Sequence, residues 1–156
     1  MKKTAYLFII LILASCSSAR LPGNSETALL IESQEFEFIA QSMTPPGINP
    51  GSIAGAGYGL KLMDDSISVL LPFFGRAFGP STNRNGGPIQ LNTTAFTKTS
   101  RIHDGRWEFR FEPADQMQVR QLFLSVSNNG YASLQVISTN RETVSFNGVI
   151  ESLKEK

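Results

Sequence analysis

The chain has 156 residues, 41% hydrophobic and 17% charged, so its composition excludes a disordered or collagen-like chain and leaves room for one domain. Lysine and arginine together number 14 against 13 acidic residues, a near balance that argues against nucleic acid as the main partner. A single cysteine and a single histidine exclude a disulfide framework and argue against a zinc site, so we expect neither a metal nor a cofactor.

The first predicted element is an export signal. Two lysines precede an apolar run over 5–14, which is about half of the roughly 20 residues that a membrane-spanning helix needs. The run ends in 13–16 (LASC), which resembles a bacterial lipobox, whose cysteine thiol accepts diacylglycerol before cleavage. The alternative is an ordinary secretory peptide in which Cys16 is incidental. We predict a lipoprotein signal peptide over 1–15, lipidation of Cys16 and a lipid-anchored tether over 16–25.

The residues after the cysteine indicate a location by their resemblance to sorted lipoproteins. Ser17 and Ser18 stand where an aspartate commonly retains a lipoprotein in the inner membrane, and residues 17–21 lack the acidic cluster that sends some Bacteroidetes lipoproteins to the cell surface. The predicted location is therefore the periplasmic side of the outer membrane. The membrane, contacted through the N-terminal lipid anchor, is the predicted partner.

A short helix and a first strand are predicted after the tether. Ser25 is a suitable helix N-cap, and the apolar residues that follow favour a helix to about Ser33. The period then changes to two, with Phe36 and Phe38 on one face, which indicates a half-buried strand. Proline and glycine dominate the segment 44–55, which is predicted to be a loop.

The rest of the chain has the pattern of strands joined by short turns. Turn signals occur at 64–65 (Asp-Asp), 104–105 (Asp-Gly), 129–130 (Asn-Gly) and 140–141 (Asn-Arg). A long strand, bent or straight, is predicted over 89–103. The apolar residues that alternate along the predicted strands are Tyr58, Leu60, Leu62, Ile67, Val69, Leu71, Trp107, Phe109, Phe111, Leu122, Leu124, Val126, Ala132, Leu134, Val136, Val144, Phe146 and Ile150.

These elements predict a mainly β fold. Because no helix is predicted between the strands, a parallel sheet is disfavoured. A meander with one apolar face removes its exposed edges by closing on itself. We therefore predict an antiparallel up-and-down meander of about eight strands that closes into a lipocalin-like barrel, with a short N-terminal helix, as a single domain over 26–153. A two-sheet β-sandwich is the alternative.

Several segments together resemble a known family. They are the lipobox, 36–38 (FEF), 71–78 (LPFFGRAF) and 144–150 (VSFNGVI), of which the Pro-Phe-Phe-Gly-Arg core is the most specific. The chain resembles domain-of-unknown-function family 4251, a group of uncharacterised Bacteroidetes envelope proteins, from about Thr27 to Ile150. This resemblance implies a compact β-rich fold and an envelope location. It implies no catalytic residue, because the family has no established activity.

Catalytic chemistry has little support in the sequence. His103 is the only histidine, and its neighbour Asp104 would point to the opposite face of a strand, so a Ser-His-Asp site is disfavoured against an exposed turn histidine. The adjacent carboxylates at 64–65 diverge, whereas a glycosidase pair must converge. The glycines over 55–59 precede a strand and not a helix, unlike a dinucleotide-binding loop. We expect no enzyme.

The connection over 72–88 is the predicted binding element, because it is long for a compact domain. In one interpretation it forms a portal at a barrel mouth, where Phe73, Phe74 and Phe78 contact an apolar ligand and Arg76 meets its anionic group. In the other, the rings seal the barrel end and Arg76 pairs with a carboxylate or with carbonyl groups. The sealing interpretation is favoured, because small barrels fill themselves with side chains.

The leading functional hypothesis is a non-catalytic cell-envelope lipoprotein that binds a small apolar or amphipathic ligand or an envelope component. The alternative is a structural or partner-binding envelope lipoprotein with a filled core. A cavity lined by phenylalanine and leucine would favour the first hypothesis. A filled interior with an apolar surface patch would favour the second.

Overall fold

The computed structural model describes residues 25–47, 49–74, 87–115 and 118–153. The predicted signal peptide and Cys16 lie outside these ranges. No helix of the described residues is long and apolar enough to cross a membrane. The elements are α1 (Ser25–Ser33), β1 (Phe36–Thr44), β2 (Gly51–Ser52), β3 (Gly59–Met63), β4 (Ser66–Leu71), β5 (Ile89–Thr93), β6 (Phe96–His103), β7 (Arg106–Pro113), β8 (Val119–Ser127), β9 (Tyr131–Ser138) and β10 (Val144–Glu151).

The strands form one antiparallel sheet that nearly closes into a barrel. Their hydrogen-bonded order is β5-β4-β3-β1-β10-β9-β8-β7-β6, and the short β2 pairs with β1 outside this path. Apart from β2, strands that are neighbours in the sheet are also consecutive in the chain. The one exception is the pairing of β1 with β10. The predicted up-and-down meander is therefore confirmed, and the two-sheet sandwich does not occur.

A single bent strand over 89–103 brings the two ends of this path together. Because all pairings are antiparallel, β5 and β6 run in the same direction, and β5 pairs with β4 whereas β6 pairs with β7. At the bend, the amide of Ala95 donates to Thr93 Oγ1 at 3.0 Å, and the amide of Ala114 donates to the Ala95 carbonyl at 2.9 Å. The predicted long strand is thus present in two halves, and the wall has the predicted eight strands when these halves count as one.

The hairpin turns fall where the sequence predicts them. Asp104 and Gly105 have φ angles of 49° and 71°, the left-handed values that a two-residue type I′ hairpin requires. The turns at 64–65 and 128–130 are also present. The predicted loop over 44–55 differs, because β2 forms within it and pairs with β1.

Side chains from nearly every strand fill the interior. Four phenyl rings form a continuous row, with centroid distances of 5.8 Å from Phe36 to Phe109, 6.1 Å from Phe109 to Phe111 and 6.1 Å from Phe111 to Phe96. The large side chains with less than 2% exposure are Phe36, Phe38, Phe111, Phe146, Leu60, Leu62, Ile67, Leu71, Ile89, Leu122, Leu124 and Leu134.

Helix α1 lies over one end of the barrel, which we call the helix end. Its buried residues Thr27 and Ile31 are one turn apart and face the strands. Thr27 packs against Gly130 in the turn between β8 and β9, and Ile31 lies beside Trp107 and Phe109 of β7. The opposite end carries the connections after β1 and β4, and we call it the loop end. The helix has the predicted bounds.

Candidate functional site

Of the four predicted binding residues, the structure describes Phe73 and Phe74, which point in different directions. Phe73 is buried, with 6% exposure, whereas the neighbouring Phe74 points to solvent, with 59% exposure. Arg76 and Phe78 lie outside the described residues. Phe73 is therefore part of the barrel interior, and the ligand contacts predicted for these four residues stay predictions.

Arg141, which the sequence places in a turn, contacts one residue on each side of the segment 75–86 of the predicted binding loop. Its guanidinium carbon lies 5.0 Å from the centre of the Phe73 ring, a cation–π distance. Its Nη1 donates a hydrogen bond of 2.6 Å to the carbonyl of Gly87. Phe73 precedes the undescribed segment 75–86 and Gly87 follows it, so one side chain links the two stems. No local pattern predicts this role, because the contacts join residues far apart in the chain.

A second candidate lies at the helix end and was not predicted. It is a groove of about 270 Å³ between α1 and the hairpin of β6 and β7, which we call the mouth groove. Its apolar floor is formed by Ile31, Ile102, Trp107 and Phe109. Its polar rim is formed by Gln34, Lys98, Ser100 and Arg101.

The mouth groove exists because the inner face of β6 is uncovered near its end. Ile102 pairs with Trp107 and Ser100 pairs with Phe109, so these β6 side chains share the inward face of β7. Ile102 nevertheless has 73% exposure. β6 pairs with β7 on one edge, and no described strand pairs with its other edge. The seam of the barrel thus leaves an apolar surface open to solvent.

Hydrogen bonds fix the rim of the mouth groove. Lys98 Nζ donates to Gln34 Oε1, and Gln34 has a φ of 58°, which is uncommon for a residue other than glycine. Arg101 Nε lies 2.6 Å from Glu108 Oε2, so this guanidinium is already paired. Lys98 is consequently the rim cation with no carboxylate partner among the described residues. An apolar floor with one such cation suits an amphipathic anion.

The histidine and the paired aspartates that the sequence singles out are exposed in the structure. His103 has a 60% exposed side chain and lies 3.3 Å from the carboxylate of Asp104 in the same turn. Asp64 and Asp65 occupy an exposed turn. No group of three or more potential metal ligands occurs among the residues that the structure covers.

Comparisons with known proteins agree with this fold. The chain is similar to a DUF4251 family protein from Bacteroides eggerthii DSM 20697, whose crystal structure superimposes with a TM-score of 0.63 at 13% identity, covering 82% of this chain and 86% of that one. No curated protein matches the chain. Residues 23–150 match the family described as domain of unknown function (DUF4251). The chain therefore belongs to the DUF4251 family, as the Pro-Phe-Phe-Gly-Arg core and the flanking strand segments predict.

Proposed function

We propose that this protein is a non-catalytic lipoprotein of the cell envelope that binds a small amphipathic ligand in the mouth groove. The observation that carries the proposal is the exposed inward face of β6, where Ile102 and Trp107 form an apolar surface beside the Lys98 ammonium group. Ile102 is on the inward face of β6 and yet has 73% exposure, so the described residues leave most of this apolar side chain in contact with water. A ligand that covers Ile102 would remove this surface from water.

The dimensions of the groove limit the ligand. Its volume of about 270 Å³ lies just below the roughly 300–1,000 Å³ of pockets for drug-sized molecules. A single acyl chain of moderate length with an anionic group matches the apolar floor and Lys98. A folded lipid with several chains does not fit.

The anchor is the second part of the proposal. It rests on the lipobox resemblance, on the position of the only cysteine, and on the start of α1 at Ser25, nine residues after Cys16. The proposed location is the periplasmic side of the outer membrane. Several acyl chains, at about 0.8 kcal/mol for each buried CH₂, would hold the protein there almost permanently.

A structural or partner-binding lipoprotein is the second candidate function. The filled interior favours it, since the large inward side chains are fully buried and Arg141 covers the Phe73 ring. The two candidates differ in one measurable respect, because only the first requires a ligand in the mouth groove.

Ile102→Glu tests the mouth groove. Trp107 is the only tryptophan of the chain and lines the groove, so we expect decanoate to change its fluorescence in a saturable titration. The variant places a carboxylate on the apolar floor, where it repels the carboxylate of the probe. The dissociation constant for decanoate should rise at least about tenfold, which corresponds to 1.4 kcal/mol.

Leu29→Glu is the matched control for this titration. Leu29 has 64% exposure on the outer side of α1, so the change introduces the same charge away from the groove and should leave decanoate binding unaltered. Decyltrimethylammonium, which has the same chain and the opposite charge, should bind more weakly than decanoate to the unmodified protein. Equal affinity of the unmodified protein and Ile102→Glu for decanoate would contradict the ligand proposal, as would the absence of a saturable signal.

Cys16→Ala tests the anchor. The thiol is the only group in the chain that can accept diacylglycerol by lipobox chemistry, so the variant should incorporate no labelled palmitate and should leave the mature membrane fraction. Ser18→Ala, which lies beyond the lipobox, should be labelled and fractionate like the unmodified protein. A Cys16→Ala protein that is still cleaved, acylated and membrane-bound would refute the lipoprotein proposal.

A further inference from the structure

Helix α1 presents an acidic face with an exposed leucine at the helix end. The helix contains two charged residues, Glu26 and Glu32, and no basic one. Leu29 lies three residues from each of them, so the three side chains form one stripe along the helix, which we call the acidic stripe. Thr27 and Ile31 are buried against the strands, whereas Leu29 has 64% exposure. The acidic stripe therefore faces away from the barrel.

The mouth groove beside α1 has the opposite charge. Its rim carries two cations, Lys98 and Arg101, and no carboxylate of the described residues lines it. Arg101 is paired with Glu108, yet its side chain is 66% exposed and can accept a further partner. Ile102, the next residue, is an apolar side chain with 73% exposure. Both surfaces thus combine an exposed aliphatic side chain with two charges, and these charges have opposite signs.

The two surfaces also match in spacing. Glu26 and Glu32 are six residues apart on a helix, which is about 9 Å along its axis at about 1.5 Å per residue. Lys98 and Arg101 are three residues apart on β6, which is about 10 Å at about 3.3 Å per residue. Both surfaces lie side by side at the helix end. A two-fold axis between them would therefore place the acidic stripe of each copy on the mouth groove of the other.

We propose that two copies of this chain associate through the helix end, with the acidic stripe of each copy on the mouth groove of the other. In this dimer Leu29 of one copy covers Ile102 of the second copy, so two exposed apolar side chains leave water. The carboxylates of the acidic stripe meet the cations of the rim, and the symmetry makes this contact twice. The inference goes beyond the proposed ligand and the proposed anchor, because it requires neither.

The small size of the two surfaces sets the strength of the association. Each contact joins one face of a nine-residue helix to one groove, and complexes that bury less than about 1,200 Å² are weak and transient. We therefore expect a monomer at the low protein concentration of a fluorescence titration and a dimer in a concentrated sample. Decanoate binding, as tested above, is then a property of the monomer.

Disulfide trapping tests the dimer with the concentrated, purified full-length protein. A first copy with Leu29→Cys and a differently tagged second copy with Ile102→Cys are mixed and oxidised with copper phenanthroline, and we expect a cross-linked product that carries both tags. Phe74→Cys replaces Ile102→Cys in the matched control, because Phe74 is an apolar side chain with 59% exposure at the loop end. The control should yield at least about fivefold less product, since only random collisions bring its thiols together. Cys16 is the only native cysteine, so each variant alone measures any product of that thiol.

Charge reversal distinguishes this interface from a chance apolar contact. Glu26→Lys and Glu32→Lys, added to the first copy, place ammonium groups against the rim cations of the second copy, so the yield should fall at least about threefold. Lys98→Glu and Arg101→Glu, added to the second copy as well, should restore the yield, because this contact is then complementary again. The other contact of the dimer joins unaltered charges in both mixtures. Circular dichroism checks that each variant is folded.

Three results would overturn the proposal. The first is a yield no higher than that of the Phe74→Cys control, which would leave the mouth groove to the amphipathic ligand. The second is a yield that reversing the acidic stripe does not lower. The third is a lowered yield that reversing the rim in the folded second copy does not restore. An absence of decanoate binding would contradict the ligand proposal alone.

Discussion

Phe111→Ala is expected to lower the free energy of unfolding by about 3–5 kcal/mol, the usual cost of deleting a buried phenyl ring. The Phe111 ring is fully buried, stacks on Phe109 and meets the edge of Phe96, with both centroid distances at 6.1 Å. Its neighbours belong to a hydrogen-bonded wall that cannot collapse into the vacated space, so a cavity remains. A domain is usually stable by about 5–15 kcal/mol, so the variant should fold without denaturant but unfold at a much lower urea concentration.

Phe74→Ala provides the control for this measurement. Phe74 has 59% exposure, so its removal should change the free energy of unfolding by no more than about 0.5 kcal/mol. Urea titrations monitored by far-ultraviolet circular dichroism give both values. If Phe111→Ala and Phe74→Ala unfold at the same urea concentration, the filled aromatic interior is wrong.

Gly148→Ala is expected to cost about 3 kcal/mol, at the upper end of the range for overpacking. Gly148 of β10 lies opposite Ala40, beside the bulge in β1 between Ala40 and Ser42. A Cβ at this position would overlap the carbonyl oxygen of Ile39, a backbone atom that cannot rotate away. The methyl group would therefore push β10 away from β1, and this is the pairing that joins the two ends of the chain in the barrel.

Gly51→Ala is the matched control, because a Cβ on Gly51 meets no atom within 4 Å. Gly51 also lies in a strand, β2, so the two variants make the same chemical change in similar secondary structure. We expect the melting temperature to fall by several degrees for Gly148→Ala and to stay nearly constant for Gly51→Ala. A Gly148→Ala protein as stable as Gly51→Ala would show that the two backbones do not approach this closely.

Many strands and turns of the barrel could be predicted, because the sequence patterns that indicate them are local. The alternation of Trp107, Phe109 and Phe111 with charged residues predicts a strand with one inward face, and the last two side chains are buried there. Asp104-Gly105 predicts the hairpin, since this dipeptide tolerates the required positive φ angles. The sequence did not predict the short strand β2, because two residues are too few to show the alternation of apolar and polar side chains that indicates a strand.

The candidate sites depended on contacts that no local pattern encodes. Ile102 and Trp107 occupy predicted strand positions, but the sequence does not reveal that β6 lacks a second neighbour there. Arg141 was visible as a turn residue only, and its contacts join it to Phe73 and Gly87, both of which lie more than 50 positions earlier in the chain.

The sequence alone determined the class of this protein: an antiparallel meander with a short leading helix, a chain of the DUF4251 family, and an N-terminus with a lipobox pattern. These features arise from periodicity, turn chemistry and short motifs, which act between residues close in the chain. The tertiary structure decided how β1 meets β10, where the bent strand leaves a seam, and which side chains share a groove. Such features depend on strand register and on the bend at 93–95, and the free energies that fix them come from contacts between residues distant in sequence.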